Sequence, residues 1–173
     1  MKTLLALVFA TITAAFAAEP AITATDAFAA IKKLQGDWRG VPMMKGMPAA
    51  RSIYRVTAGG SAVEETIFPG TQMEMLSVYH MDKGDLLMTH YCMLGNQPQL
   101  KFNARKSTAS ELYFDFAGGT NLNPRRDAHM HSLHLTLSAP TKSGPSKLTV
   151  SGASWEGGKE KAAGCTSTLT RRK

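Results

Sequence analysis

The sequence predicts an all-β domain: a closed, antiparallel, up-and-down barrel of about ten strands that follows one short helix. From Asp37 onward, short runs with strand-like alternation are separated by glycine, proline, asparagine and aspartate, which is typical of strands and turns. Most links between these runs are of hairpin length, and no later segment has the helical periodicity of a βαβ crossover. A barrel leaves no sheet edge unpaired and suits this number of strands, whereas a two-sheet sandwich is the alternative.

A single helix is expected before the strands. Thr25 or Asp26 can accept hydrogen bonds from the first free N–H groups, and Gly36 ends the helix. The apolar residues at helical spacing, which form its buried face, are Phe28, Ile31 and Leu34.

The strands follow from alternation and from turn residues. Asp82-Lys83-Gly84-Asp85 predicts a hairpin turn, and residues 118–124 predict a longer loop. We expect strands over residues 37–41, 51–57, 62–68, 72–81, 86–93, 99–104, 111–116, 129–138, 147–155 and 165–171.

The first 18 residues have the pattern of a secretory signal peptide. Lys2 precedes an apolar run that is shorter than the roughly 20 residues of a membrane-spanning helix, and Ala15-Phe16-Ala17 fits a small-x-small cleavage signal. Cleavage after Ala18 would leave residues 19–173 as one barrel domain, with no stable membrane insertion. We therefore expect a periplasmic or secreted protein.

The net charge of +7 does not indicate a nucleic-acid partner. The basic residues are dispersed, apart from Arg125-Arg126 and the last three residues, and they form no stripe interleaved with aromatic residues. A basic exterior that favours solubility is the better interpretation. The composition gives no indication of oligomeric state.

Two cysteines, Cys92 and Cys165, could form one disulfide in an oxidising compartment. Two thiols alone do not make a structural zinc site. Cys92 stands two residues after His90, but no third group that would orient a nucleophile and base is visible, so a buried or bridged thiol is favoured over a catalytic one.

Three histidines are the strongest candidates for a site. His129 and His131 alternate with the apolar face of one predicted strand, so their Cα atoms would lie roughly 6.6 Å apart on the inward side. His90 would face the same interior from another strand. Together they could bind zinc, copper or iron, or they could line the polar end of a ligand pocket. His134 is expected on the outer face.

Other side chains give weaker indications. Tyr91, Asn96 and Gln97 could form the rim of the open end, where ordinary turn chemistry is the alternative. Glu64 and Glu65 are adjacent, so they split across the two faces and make no acid–base pair. A copper(I) site could be built from the methionines at positions 43, 44, 47, 73 and 75, although methionine more often fills gaps in a core.

Residues 34–40 contain a G-x-W motif, with Gly36 and Trp38, and Arg171 lies in the last predicted strand. This pattern resembles the calycin superfamily of lipocalins, fatty-acid-binding proteins and nitrobindin-like haem barrels. The resemblance implies that Arg171 packs over Trp38 and seals the closed end, a cation–π contact worth about 0.5–2 kcal/mol. The haem barrels hold their proximal histidine near the C-terminus, and this chain has no histidine after Trp155.

The central region is similar to small exported bacterial lipocalin-like proteins of unknown function. It has T-H-Y-C-x-x-G-N-Q-P at residues 89–98, G-T-N at 119–121 and H-M-H-x-L at 129–133. This resemblance implies a fold and an exported location, and it transfers no reaction.

The sequence therefore predicts an exported, non-enzymatic barrel that binds a small molecule at a histidine-lined polar end. The alternative is a metal- or haem-binding protein or enzyme that uses His90, His129 and His131.

Overall fold

The structure, a computed structural model, describes residues 22–42, 46–138, 146–161 and 166–172. The predicted signal peptide over residues 1–18 lies outside the described residues, as do Cys165, which is one half of the predicted disulfide, and Met43 and Met44. Within the described ranges, no helix has the length and apolar character needed to cross a membrane.

The chain folds as a closed, antiparallel barrel of ten strands with one short helix, which confirms the predicted fold class. The barrel order is β1-β13-β10-β9-β7-β6-β5-β4-β3-β2, and β12-β11-β8 form a separate three-stranded sheet. The elements are α1 Ala24–Lys32, β1 Gly36–Pro42, β2 Ala49–Thr57, β3 Ala62–Ile67, β4 Met75–Asp82, β5 Asp85–Tyr91, β6 Gln97–Phe102, β7 Glu111–Thr120, β8 His129–Met130, β9 Ser132–Leu137, β10 Lys147–Ser151, β11 Ser154–Glu156, β12 Lys159–Lys161 and β13 Ser167–Arg171.

Two predicted strands are interrupted, and the extra sheet arises at the interruptions. The predicted strand over residues 129–138 breaks at His131, where the N–H groups of His131 and Ser132 both donate to the carbonyl oxygen of Ala153, over 2.8 and 3.1 Å. Two N–H groups on one carbonyl are a bulge, which locally bends the strand. The predicted strand over residues 147–155 breaks at Gly152 and Ala153, opposite this bulge. β7 also runs on to Thr120, through part of the predicted loop at 118–124.

The helix closes one end of the barrel. Its N-cap is Thr23, whose hydroxyl oxygen accepts from the N–H of Asp26 over 3.1 Å. The predicted cap at Thr25 or Asp26 is therefore wrong by two or three residues. The apolar face of α1 is buried with the barrel core, as predicted. Gly36, with a φ of 140° that favours glycine, lies just beyond the helix and begins β1.

Trp38 and Arg171 seal this end. They are directly opposite each other on β1 and β13, and the guanidinium carbon lies 4.8 Å from the centroid of the indole ring. The indole N–H donates to the carbonyl oxygen of Leu34 over 2.6 Å, and Arg171 donates to the carbonyl oxygens of Lys33 and Gln35. The predicted contact between the two side chains is therefore present, and it also binds the C-terminal end of the helix.

Candidate functional site

A cavity of about 510 Å³ lies at the end of the barrel away from the helix. β13 shows the direction, because Ser167 at its start lines the cavity while Arg171 at its end bonds to the segment after the helix. Most of the exposed surface of the wall is apolar, and its apolar residues are Ala50, Ile67, Phe68, Met75, Met130, Leu133, Val150, Ala153 and Leu169. The remaining wall consists of Arg51, Ser52, Glu65, His90, Ser132, Ser151, Gly152, Ser154, Glu156 and Ser167.

A row of polar side chains crosses four neighbouring strands beside the cavity. The strand register places Tyr54 opposite Glu65, Glu65 opposite Ser77, and Ser77 opposite His90. All four residues are buried. Since residues directly opposite each other on one face of a sheet lie about 5 Å apart, the row forms one continuous polar strip inside the barrel.

Glu65 is the buried carboxyl group of this row, with 5% of its surface exposed. The hydroxyl groups of Ser52 and Tyr79 donate to its two oxygens over 2.8 and 3.0 Å. The Tyr54 hydroxyl lies beside the same carboxyl group but is buried without a hydrogen bond of normal geometry. Burial raises the pKa of Glu65, and the hydroxyl donors only partly offset this effect. Burial beside Glu65 also raises the pKa of both tyrosines.

His90 is the second titratable group in the cavity wall. Its Nδ1 lies 3.0 Å from the Ser77 hydroxyl oxygen, and burial lowers its pKa to about 4. The ring is therefore neutral at neutral pH. Its other nitrogen, Nε2, has no hydrogen-bond partner among the described residues, so it can donate to or accept from a ligand, depending on the tautomer.

The Ser77–His90 pair does not make a hydrolytic site. Ser77 is 1% exposed and is not part of the cavity wall, so a substrate in the cavity would not reach its hydroxyl oxygen. A nucleophile must lie within contact distance of the bound substrate. The pair instead fixes the orientation of the His90 ring.

Ser167 adds a third polar group to the wall. It is 8% exposed, and its hydroxyl oxygen is buried without a hydrogen-bond partner among the described residues. Buried polar groups in proteins are nearly always paired, so an unpaired hydroxyl in a cavity wall indicates a place where a ligand atom or water would bind.

His129 and His131 lie together, and neither of them lines the cavity that His90 lines. His129 is buried, and its Nδ1 must donate to the carbonyl oxygen of Asp127, 2.7 Å away, because a carbonyl only accepts. Nε2 of His129 lies 3.2 Å from Nδ1 of His131, within hydrogen-bond distance. Phe116 stacks on His131 with ring centroids 5.2 Å apart. The pair is held by aromatic packing at the small sheet.

The bulge explains why His131 leaves the interior. His131 lines a second, outer groove of about 410 Å³ together with His134, instead of the main cavity. The expectation that His131 shares the inward face is therefore wrong, since the bulge shifts the alternation at that residue. His134 lies on the outer face as predicted, where its ring stacks on Tyr113 at 3.9 Å and its Nε2 bonds to Glu111.

The three histidines do not come together as one metal site among the described residues. His90 lines one cavity and His131 lines the other. Among the residues that the structure describes, no three histidine, cysteine, aspartate or glutamate side chains come together in a way that could hold a metal ion. Of the methionines in the copper prediction, only Met75 reaches the main cavity within the described part of the chain.

The predicted rim residues lie outside the walls of both cavities. Asn96 is buried and its side chain donates to the carbonyl oxygen of Ala128 over 2.8 Å, which fastens the β5–β6 turn to the loop before β8. Gln97 bonds to Gly95 and Thr120 across β6 and β7. Tyr91 is 48% exposed, and Cys92 is half-buried in the same turn. In the structure Asn96 and Gln97 therefore position the loops at the open end.

The polar row is not among the features predicted from the sequence. Alternation along β3 puts Val63, Glu65 and Ile67 on the inward face and Glu64 on the outer face, where it pairs with Arg55. That pattern already indicated a buried carboxyl group. Its link to Ser77 and His90 depends on strand register, which a single sequence does not specify.

No family model matches the chain, and no curated protein is significantly similar to it in sequence. The calycin resemblance therefore remains an expectation, and the fold is established by the strand order alone.

Proposed function

We propose that this protein is an exported binding protein whose barrel holds one small, largely apolar molecule with a polar group directed at Glu65 and His90. The observation that carries the proposal is the combination of an apolar cavity with a few convergent polar groups, which is the usual composition of a ligand pocket. The volume of about 510 Å³ lies within the range of small-molecule sites.

The polar groups have unused hydrogen-bonding capacity. Nε2 of His90 and the hydroxyl group of Ser167 have no described partner, and each carboxyl oxygen of Glu65 has one donor. A ligand with a single polar end would satisfy these groups while its apolar part contacts the aliphatic wall.

Export is supported by the pattern of the first 18 residues. If the pattern acts as a signal peptide, the protein recovered outside the cytoplasm has the mass of a chain that begins at Glu19. An uncleaved chain in the cytoplasmic fraction would contradict export without affecting the binding proposal.

The binding proposal is tested by filling the cavity. Val150 lines it, whereas Val78 is half-buried between the inward-facing Ser77 and Tyr79 and so points outward. Val150→Phe should weaken binding of the uncharged fluorescent probe N-phenyl-1-naphthylamine at least about tenfold, because the new ring occupies ligand space. Val78→Phe is the matched control and should bind the probe normally. Equal binding by the two variants, with folding verified by circular dichroism, would contradict a ligand site in this cavity.

A further inference from the structure

The charges around the cavity differ in sign from the protein as a whole. The chain carries a formal net charge of +7, yet the charged residues of the cavity wall are two carboxyl groups and one guanidinium. Neither Glu65 nor Glu156 forms an ion pair with a described residue. Glu65 lies deep in the wall, and Glu156 is exposed near the small sheet.

The one guanidinium among the lining residues is already engaged in an ion pair. Arg51 donates from Nε and Nη2 to the two carboxylate oxygens of Asp37, both over 3.0 Å. This paired geometry is a strong charge-assisted contact, and it holds the pKa of Asp37 down at about 2. Arg39 also donates to Asp37, so the two guanidinium groups share one carboxylate. An anionic ligand would therefore find no unpaired cation in the described wall, and it would instead meet the carboxyl groups of Glu65 and Glu156.

We infer that the ligand is an amine with an apolar chain or ring system, and that Glu65 pairs with its nitrogen. This inference rests on the proposed function, and it specifies the ligand's polar end. A carboxyl group removed from water is stable when it is protonated or when it meets a positive charge. Burial raises the pKa of Glu65, so an unpaired carboxylate is disfavoured at this position. An ammonium group beside Glu65 offsets this cost, and the resulting ion pair has no net charge.

The remaining polar groups fit an ammonium head. An ammonium group has three donors and no acceptor. The unpaired and nine-tenths buried hydroxyl oxygen of Ser167 is an acceptor in the same wall, and Nε2 of His90 is a second acceptor when Nδ1 donates to Ser77. Glu65 supplies the negative charge, and the two neutral acceptors, Ser167 and His90, accept hydrogen bonds from the remaining N–H groups of the ammonium.

The test compares three head groups on the same chain. Dodecylamine and dodecanoate, each below its micelle concentration, and dodecanol, below its solubility limit, compete with N-phenyl-1-naphthylamine for the unaltered protein. We expect dodecylamine to bind at least about tenfold more tightly than dodecanoate, with dodecanol between them, because only the amine gains a buried charge partner. Dodecanoate binding as tightly as dodecylamine would overturn the inference.

Two variants test whether the carboxyl group of Glu65 causes the preference for the amine. Glu65→Gln should bring amine and alcohol to similar affinity, whereas Glu64→Gln, one position away on the outer face, should keep the amine preference. An unchanged preference in folded Glu65→Gln would overturn the role of Glu65. If that variant does not fold, the three-ligand comparison on the unaltered protein still decides the inference. Tight dodecanol binding without any amine preference overturns the head-group inference alone, and failure of the probe and all three ligands to bind overturns the proposed function as well.

Discussion

Burial alone determines the ionisation of His90. The ring is 2% exposed, and desolvation holds its pKa at about 4, below its value in an unfolded chain. Above pH about 6.5 the ring is neutral in both states. Between pH 6.5 and 4 the unfolded chain binds a proton that the folded chain does not, so stability falls as the pH falls through this window. The shift corresponds to about 3 kcal/mol at order-of-magnitude precision.

Replacing His90 should therefore flatten the acid side of the stability curve. Urea unfolding of His90→Gln at pH 7 and pH 4.5 should show a clearly smaller loss of free energy than the unaltered chain shows. His80→Gln changes a half-buried histidine on the neighbouring strand β4 and should keep the loss. Asp37 acts in a separate window, because its pKa of about 2 places its loss of stability below pH 3.8. Equal slopes in His90→Gln and the unaltered chain would contradict a buried neutral ring.

At the scale of the element, the bulge between β8 and β9 decides which histidines share a cavity. Gly152 lies against it on the opposing segment, and a Cβ built there would stand 2.2 Å from the carbonyl oxygen of Ser132. That atom belongs to the backbone, so it cannot move aside as a flexible side chain would. A glycine at this position lets the two segments approach closely enough for both N–H groups to reach Ala153.

Gly152→Ala should push these segments apart. We expect a loss of about 2–4 kcal/mol in the free energy of unfolding, the range of a severe local steric change. The exposed Lys147→Ala at the start of the same strand is the control and should change the free energy of unfolding by less than about 0.5 kcal/mol. A Gly152→Ala chain as stable as the control would mean that the bulge is not constrained by this contact.

At the scale of the whole molecule, the fold was predictable where local chemistry determines it. Turn residues and alternation specified ten barrel strands, and the G-x-W motif with Arg171 specified the sealed end. The site was less predictable for two physical reasons. The strict alternation of inward and outward side chains is broken by a bulge at His131. The polar row of Glu65 and His90 depends on the strand register, which pairs residues far apart in the chain.

The sealed end of the barrel contributes to stability and the cavity end to ligand binding, and the two contributions can be measured separately. Arg171→Leu removes the contact with Trp38 and the hydrogen bonds to the carbonyl oxygens of Lys33 and Gln35, so it should lower the free energy of unfolding by about 1–3 kcal/mol. Its affinity for N-phenyl-1-naphthylamine should stay unchanged, because none of these groups lines the cavity.

Val150→Phe should show the reverse, with weaker probe binding and little loss of stability, since its added volume enters an existing space. Arg172→Leu, at the exposed neighbour of Arg171, is the control and should alter neither quantity. Urea unfolding and probe titration on the same preparations separate the two effects. If Arg171→Leu weakened binding as strongly as Val150→Phe, the sealed end and the cavity would be energetically coupled, and the barrel wall would transmit the disturbance from one end to the other.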